Sequence, residues 1–182
     1  MSQLLPDKLK ELWQSVEDRR LTFDEFEARK QQWMDEYKAV WRETILFGGL
    51  RDLKLSLVSE LARFFNCNDP AEIERRCQSG AAAVKADWEV KCQREDSRSV
   101  ERFYDESRAY IYDLMWWHTL AGDDSPLAYV VALRLAQQHA CRRPLDFGAG
   151  VGAGSIPFTR HGFDSALADI SSTLLDFSQP RV

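Results

Sequence analysis

The sequence lacks any apolar run that approaches the roughly 20 residues needed to span a bilayer. Its first residues, MSQLLPDKLKELW, also lack the basic start and apolar centre of a signal peptide. We therefore expect a cytoplasmic protein that does not associate with a membrane.

Basic charge is neither in excess nor gathered in one place. The chain has 24 Lys and Arg against 29 Asp and Glu, a net charge of −5, with both signs mixed along the sequence. This balance argues against nucleic acid as the main partner. The four cysteines are separated by 9, 14 and 48 residues. None of them forms the close pairs of a zinc or redox site, so we predict no metal site.

Glycine is also scarce, with nine in 182 residues, and four of the nine lie between residues 148 and 154. Elsewhere the chain is rich in apolar and aromatic residues, 45% and 12% of its composition, as in globular proteins. Residues 1–141 have the apolar periodicity of helices, and in residues 142–182 short strand patterns alternate with a glycine loop and a helix. We predict an all-helical N-terminal region over 1–141 and a second domain that begins at residue 142.

The clearest predicted helix begins at a capping box, with Thr22 as the N-cap and Glu25 three residues later, and it ends at Gly48-Gly49. One face of this helix is aromatic and apolar, which indicates a core face or a contact with a partner helix. The residues of this face are Phe23, Phe26, Trp33, Tyr37, Trp41 and Ile45. This aromatic face leaves two possibilities open. The chain could form a homodimer through its N-terminal helices, or it could be a helical interaction module in which the glycine-rich segment at residues 148–154 has lost its function.

Further helices are predicted from the same periodicity and from N-cap residues that precede proline, such as Asp69 before Pro70. The predicted segments are residues 50–65, a helix from Pro70 that continues toward Arg94, the stretch VERFYDESRAYIYDLMWWHTL, and a helix that starts at Asp124 or Ser125.

The pattern changes at Arg142. RPLDF is a short strand candidate, GAGVGAGS is a glycine loop, IPFTRHG is a helix that ends at Gly162, and FDSALADI is a second strand. Alternation of strand and helix predicts a parallel β-α-β unit. The predicted fold class is therefore α/β, with an all-helical region before the first β-α-β.

The glycine loop is the strongest functional signal in the chain. Glycines after a strand and before a helix permit positive φ and let the backbone approach a nucleotide-like cofactor closely. GAGVGA fits the dinucleotide fingerprint if Ala153 takes its third place, so an NAD(P)-dependent oxidoreductase is one candidate. Asp146, two residues before Gly148, favours a different cofactor, because a carboxylate beside a pyrophosphate is unfavourable.

The stretch LDFGAGVG resembles motif I of the class I S-adenosylmethionine-dependent methyltransferases, which have a Rossmann-like sheet. The matching residues are Asp146, Gly148, Gly150 and Gly152, and the resemblance covers the N-terminal portion of such a domain. It implies that S-adenosyl-L-methionine is the cofactor. The implied contacts to its methionine portion are Asp146, Phe147, Gly148, Ala149, Gly150 and Gly152.

A second acidic residue completes the resemblance. Asp169 follows the second predicted strand, 23 residues after Asp146, where the family places a carboxylate that bonds both ribose hydroxyls. The dinucleotide fold has an acidic residue at nearly the same place. The resemblance further implies that Ile170 and Ser171 flank the adenosine.

The upstream aromatic helix resembles segments that lie over the cofactor in this family. It places Tyr104, Tyr110 and Tyr112 within reach of the cleft and makes Tyr104 and Tyr110 candidate cofactor contacts. It also makes Trp116, Trp117 and His118 candidate substrate contacts. The implied reaction is methyl transfer to an unidentified acceptor, expected to be a small molecule. No catalytic residue is identifiable.

Only two strands precede Val182, whereas a doubly wound sheet has about six. We expect the sequence to be an incomplete piece of a longer enzyme. A natural short protein that keeps the helices and the first β-α-β half is the alternative.

Overall fold

The computed structural model describes residues 3–119 and 125–182. Within them, ten α-helices accompany a two-stranded parallel sheet. The elements are α1 Leu5–Glu17, α2 Phe23–Ile45, α3 Leu53–Phe64, α4 Pro70–Gln78, α5 Gly80–Lys91, α6 Ser97–Glu106, α7 Arg108–Trp117, α8 Ser125–Gln138, β1 Leu145–Phe147, α9 Ser155–Arg160, β2 Ala166–Ala168, α10 Ser172–Ser178 and a 3-10 turn Gln179–Arg181. Asp124, one of the two predicted starts of α8, lies outside the described residues.

The predicted start of α2 is confirmed. Thr22 Oγ1 accepts a hydrogen bond from Glu25 N at 3.3 Å, and Glu25 Oε2 accepts one from Thr22 N at 2.8 Å. The two bonds satisfy backbone donors that have no partner inside the helix. The predicted start of the next helix at Leu50 was early, because Asp52 is the N-cap of α3 and its side chain accepts from Leu55 N at 2.7 Å.

Two helices that the sequence predicted as continuous are each broken at a serine. Ser79 separates α4 from α5, and its hydroxyl donates to Arg75 O at 3.0 Å. Ser107 has extended backbone between α6 and α7. The local bond of Ser79 competes with the helical ladder, whereas the buried Ser107 hydroxyl has no hydrogen-bond partner among the described residues. Each break lets the chain change direction, so that α5 and α7 pack side by side.

The aromatic face of α2 is used largely inside the molecule. Trp41 and Ile45 are buried, and Trp41 Nε1 donates to Ala153 O at 3.4 Å. Near the other end of α2, the ring of Phe26 meets Trp13 of α1 edge to face, with centroids 5.3 Å apart. Phe23 is 57% exposed. A homodimer through these helices stays a prediction, and most of this face is already covered.

The sheet is parallel, with Leu145 opposite Ala166 and Phe147 opposite Ala168. The predicted β-loop-α-β order is confirmed, so the chain is α/β in the coarse sense of helices with a small parallel sheet. The buried core crosses the predicted boundary at residue 141, because Trp41 lies in one cluster with Ile156 and Leu174. No helix among the described residues has the length and apolarity needed to cross a membrane.

Candidate functional site

The loop between β1 and α9 is built around three glycines in the left-handed region. The φ angles of Gly148, Gly150 and Gly152 are 75°, 53° and 75°, a conformation that other residues adopt only with strain. Gly148 N and Ala149 N both donate to Ala168 O, at 2.8 and 3.1 Å, so the start of the loop is tied to the end of β2. The three glycines at alternate positions in the sequence are thus the three loop residues with positive φ.

The fourth glycine of the run has a different role, since Gly154 has an ordinary negative φ of −74°. A Cβ at Gly154 would lie 3.1 Å from Asp146 Oδ2 and 3.1 Å from Tyr129 Cδ1. A larger residue at position 154 would therefore require the Asp146 carboxylate and the Tyr129 ring to shift by a few tenths of an ångström. Asp146 Oδ2 also accepts a hydrogen bond from Ser155 Oγ at 2.7 Å, which fixes the carboxylate at the start of α9.

Asp169, immediately after β2, is tied to the glycine loop through its side chain. Its Oδ2 accepts from Gly150 N at 2.8 Å, and its Oδ1 accepts from Ser171 N at 2.9 Å. Each carboxylate oxygen can accept a further hydrogen bond. Asp169 therefore holds the loop in place and keeps acceptor capacity for a ligand.

These residues border a cleft of about 1110 Å³ between the carboxyl ends of the strands and helices α6, α7 and α8. Nine of the ten residues that the sequence predicted as cofactor contacts line it: Tyr104, Tyr110, Asp146, Phe147, Gly148, Ala149, Gly150, Asp169 and Ile170. The tenth, Gly152, lies behind the loop, where a Cβ would be 3.1 Å from Ser178 Cβ. Gly152 therefore shapes the loop against α10 and does not line the cleft.

Two tyrosines from neighbouring helices meet at one side of the cleft. The rings of Tyr104 on α6 and Tyr110 on α7 have centroids 5.6 Å apart. The prediction that Tyr112 reaches the cleft was wrong, because its ring stacks on Phe65 with centroids 4.6 Å apart and is not part of the described lining. Burial raises the pKa of Tyr110, and Tyr104, Asp113 and Asp169 add to the increase. The Tyr110 phenol is therefore neutral at physiological pH.

The predicted substrate residues divide in two. Trp117 and His118 line the cleft. Trp116 is not among its lining residues, and the Lys54 ammonium lies 5.8 Å from the centroid of its ring. Helical periodicity explains the split, because adjacent helix positions point about 100° apart.

Leu114 and Tyr129 also line the cleft, and the sequence did not point to them. A Cβ at Gly150 would be 3.3 Å from Leu114 Cδ1, so α7 packs directly on the loop. Tyr129 reaches the loop from α8 beside Gly154. Both positions depend on how distant helices pack, and no local sequence signal marks them.

A second connection joins the helical region to the segment after β2. Asp105 Oδ1 accepts from Ser172 N at 2.7 Å, at the start of α10, and Thr173 Oγ1 donates to Asp105 O at 2.5 Å. Hydrogen bonds from Ser172 lower the pKa of Asp105. Asp105 follows Tyr104 in the chain, and α10 follows Asp169, so this contact joins the two sides of the cleft.

The glycine loop is also held from behind by a buried ion pair. Arg181 Nε lies 2.7 Å from Glu60 Oε2 on α3, and each side chain is only 8% exposed. Arg181 Nη1 donates to the carbonyl oxygen of Val151 in the loop. Burial raises the pKa of Glu60 against the opposing effect of the Arg181 charge, and burial lowers the pKa of Arg181.

No protein-family model, curated protein or solved structure matches the chain. Among the described residues, no group of three or more His, Cys, Asp or Glu side chains is placed to hold a metal ion. The function proposed below therefore comes from the chemistry of the cleft.

Proposed function

We propose that the chain binds S-adenosyl-L-methionine and belongs to a methyltransferase of the class I type. In this proposal β1, α9 and β2 are the first β-α-β unit of a Rossmann-like sheet. The observation that carries the proposal is the hydrogen bond from Gly150 N to Asp169 Oδ2, at 2.8 Å. It joins the glycine loop to the acidic end of β2 at one cleft, which Asp146 also lines.

The charge of the cleft fits this cofactor. Its described lining contains the carboxylates of Asp146 and Asp169 and no Lys or Arg. S-adenosylmethionine has an ammonium and a sulfonium group, and both are attracted to carboxylates. The ribose hydroxyls are hydrogen-bond donors that Asp169 has the capacity to accept. A Cβ at Gly148 would have no atom within 4 Å, so the loop leaves open space there for a ligand.

A dinucleotide fits less well at the same place. In dinucleotide-binding folds the pyrophosphate lies at the N-terminus of the helix after the loop. Here Asp146 Oδ2 accepts a hydrogen bond from Ser155, the first residue of α9. A pyrophosphate at this position would meet a carboxylate, with no cation in the described lining to offset the repulsion.

The residues of the chain would bind and orient, with no identified group for proton transfer. Asp146 would hold the amino group of the cofactor, and Asp169 would accept from the ribose. Tyr104 and Tyr110 would cover one side and exclude water. When bound, S-adenosylmethionine supplies a methyl group already activated by its sulfonium, so placing an acceptor in line contributes much of the rate.

Isothermal titration of the 182-residue chain tests this proposal. We expect S-adenosylhomocysteine to bind with micromolar affinity and NADH not to bind. NADH binding without S-adenosylhomocysteine binding would replace the proposal with an oxidoreductase. If neither cofactor binds and the chain forms a stable dimer, a helical interaction module is the better account.

A pair of variants makes the titration specific for the cleft. Asp146→Ala should weaken S-adenosylhomocysteine binding while the helical circular dichroism is retained. Asp164→Ala is a matched control, because Asp164 is exposed and pairs with Arg143 at 2.9 Å, away from the described cleft lining. Unchanged affinity in Asp146→Ala would count against the assignment of the site.

A further inference from the structure

We infer that the methyl acceptor is an uncharged or cationic small molecule with an aromatic ring, and that carboxylated or phosphorylated acceptors are rejected. This inference rests on the proposed function, because it concerns the part of the cleft left beside the cofactor. It follows from the charge of the cleft and from the side chains of its helical wall.

The charge of the cleft stays negative after the cofactor is added. Asp146 and Asp169 bring two negative charges, and the described lining contributes no Lys or Arg. S-adenosylmethionine carries one net positive charge, so an anionic acceptor would enter a site with excess negative charge. Uncompensated like charge in a partly desolvated cleft is a strong basis for rejecting a ligand.

Two basic side chains near the cleft, Lys54 and Arg181, form ion pairs with glutamates outside its lining. Lys54 lies beside Trp116 but pairs with Glu74 at 2.5 Å. Arg181 is buried with Glu60 behind the glycine loop. Neither residue lines the cleft, so neither is placed to neutralise an acceptor's carboxylate or phosphate.

The helical wall of the cleft is largely aromatic. Trp117 and His118 come from the end of α7, and Tyr129 comes from α8. Gly150 and Gly154 bring this wall against the loop, because larger residues there would contact Leu114 and Tyr129. The faces of Trp117 and Tyr129 bind flat apolar rings and cations, and these two side chains supply no charge that would hold an anion. An aromatic acceptor without negative charge is therefore the best fit to this wall.

Three probes that share one ring and differ in charge test the inference. Tyramine is cationic, 4-hydroxyphenylacetamide is neutral and 4-hydroxyphenylacetate is anionic. Each is titrated by calorimetry into the 182-residue chain saturated with S-adenosylhomocysteine, which has no net charge. We expect the neutral and cationic probes to bind at least about tenfold more tightly than the anion. Equal or tighter binding of the anion overturns the inference, and so does failure of the neutral and cationic probes to bind.

A matched pair of tryptophan variants locates the binding. Trp117→Ala should weaken binding of the neutral probe by about tenfold, a typical loss for one aromatic contact. Trp13→Ala removes a comparably exposed tryptophan on α1, outside the described cleft lining, and should leave probe binding unchanged. Equal probe affinity in both variants overturns the inference. The preceding titration with S-adenosylhomocysteine separates the two failures, because loss of that binding contradicts the proposed function itself.

Discussion

The carboxylate of Asp169 accepts a hydrogen bond from the backbone N–H of Gly150 at 2.8 Å, across 19 residues of sequence. This hydrogen bond connects the glycine loop directly to the end of β2. The position of the Asp169 carboxylate, and so its contact with a ligand, therefore depends on the conformation of the loop. This contact gives Asp169 two roles, as a positioning group for the loop and as a proposed ligand to the ribose.

Asp169→Asn should weaken S-adenosylhomocysteine binding by about 10- to 100-fold, as expected for loss of a charge-assisted acceptor. The amide group also places an NH₂ where one of two backbone N–H donors is now accepted. Calorimetry measures the affinity. Asp176→Asn is the control, because Asp176 is exposed on α10 and lies outside the described cleft lining. An equal effect of both substitutions would contradict the assigned role.

The ion pair between Glu60 and Arg181 should show strong coupling between its two members. Glu60→Met leaves the buried guanidinium without its anion and should lower the free energy of unfolding by about 3–5 kcal/mol, and Arg181→Met completes the cycle. Replacement of both residues by Met should cost much less, because it leaves no unpaired buried charge. Urea unfolding of the single and double variants gives the coupling. Additive losses would mean that the pair is solvated and does not hold the loop.

Asp105 should stabilise the fold in a way that depends on pH. Its folded-state pKa is lowered from the ordinary value of 3.8, so its contribution is present above about pH 3.8 and is lost as the pH falls through the lowered value. Asp105→Ala should therefore lower Tm at neutral pH, and the difference from wild type should shrink in acid. Asp176→Ala, an exposed change on α10, is the control for net charge. A constant difference across this range would exclude the carboxylate as the cause.

Gly80 provides a test of the packing between α5 and α7. Helix propensity alone predicts that Gly80→Ala is stabilising, by up to about 1 kcal/mol. In the structure the added Cβ would lie 2.8 Å from Asp113 N and 2.9 Å from its Cα, so two backbones would have to separate. We expect a net loss of about 1–3 kcal/mol in urea unfolding. A gain in stability would show that α5 and α7 are farther apart than described.

Local signals in the sequence predicted local features well. The capping box at Thr22 and the Asp69-Pro70 helix start were both confirmed, because each depends on a few neighbouring residues. The order of β1, loop, α9 and β2 was confirmed for the same reason. Nine of the ten predicted cofactor contacts share one cleft, although their role in binding remains a proposal.

Features that depend on distant packing were missed. The breaks at Ser79 and Ser107 divide segments that the sequence predicted as continuous helices, and α5 and α7 then pack together. The contact of Tyr129 with the loop requires α8 to lie beside Gly154. The ion pair of Glu60 with Arg181 joins residues 121 positions apart, and neither position is marked by its neighbours. Gly152 matched the sequence motif, but only the fold reveals that it faces α10.

An NMR titration of the isotope-labelled chain with S-adenosylhomocysteine tests the central claim most directly. The account predicts that the largest amide shifts occur at the loop and at the end of β2, on Gly148, Ala149, Gly150, Asp169 and Ile170. Amides of α1, far from the described cleft lining, should change little. Unchanged loop amides at saturating ligand, or shifts confined to α1 and α2, would contradict the assignment of this cleft as the cofactor site.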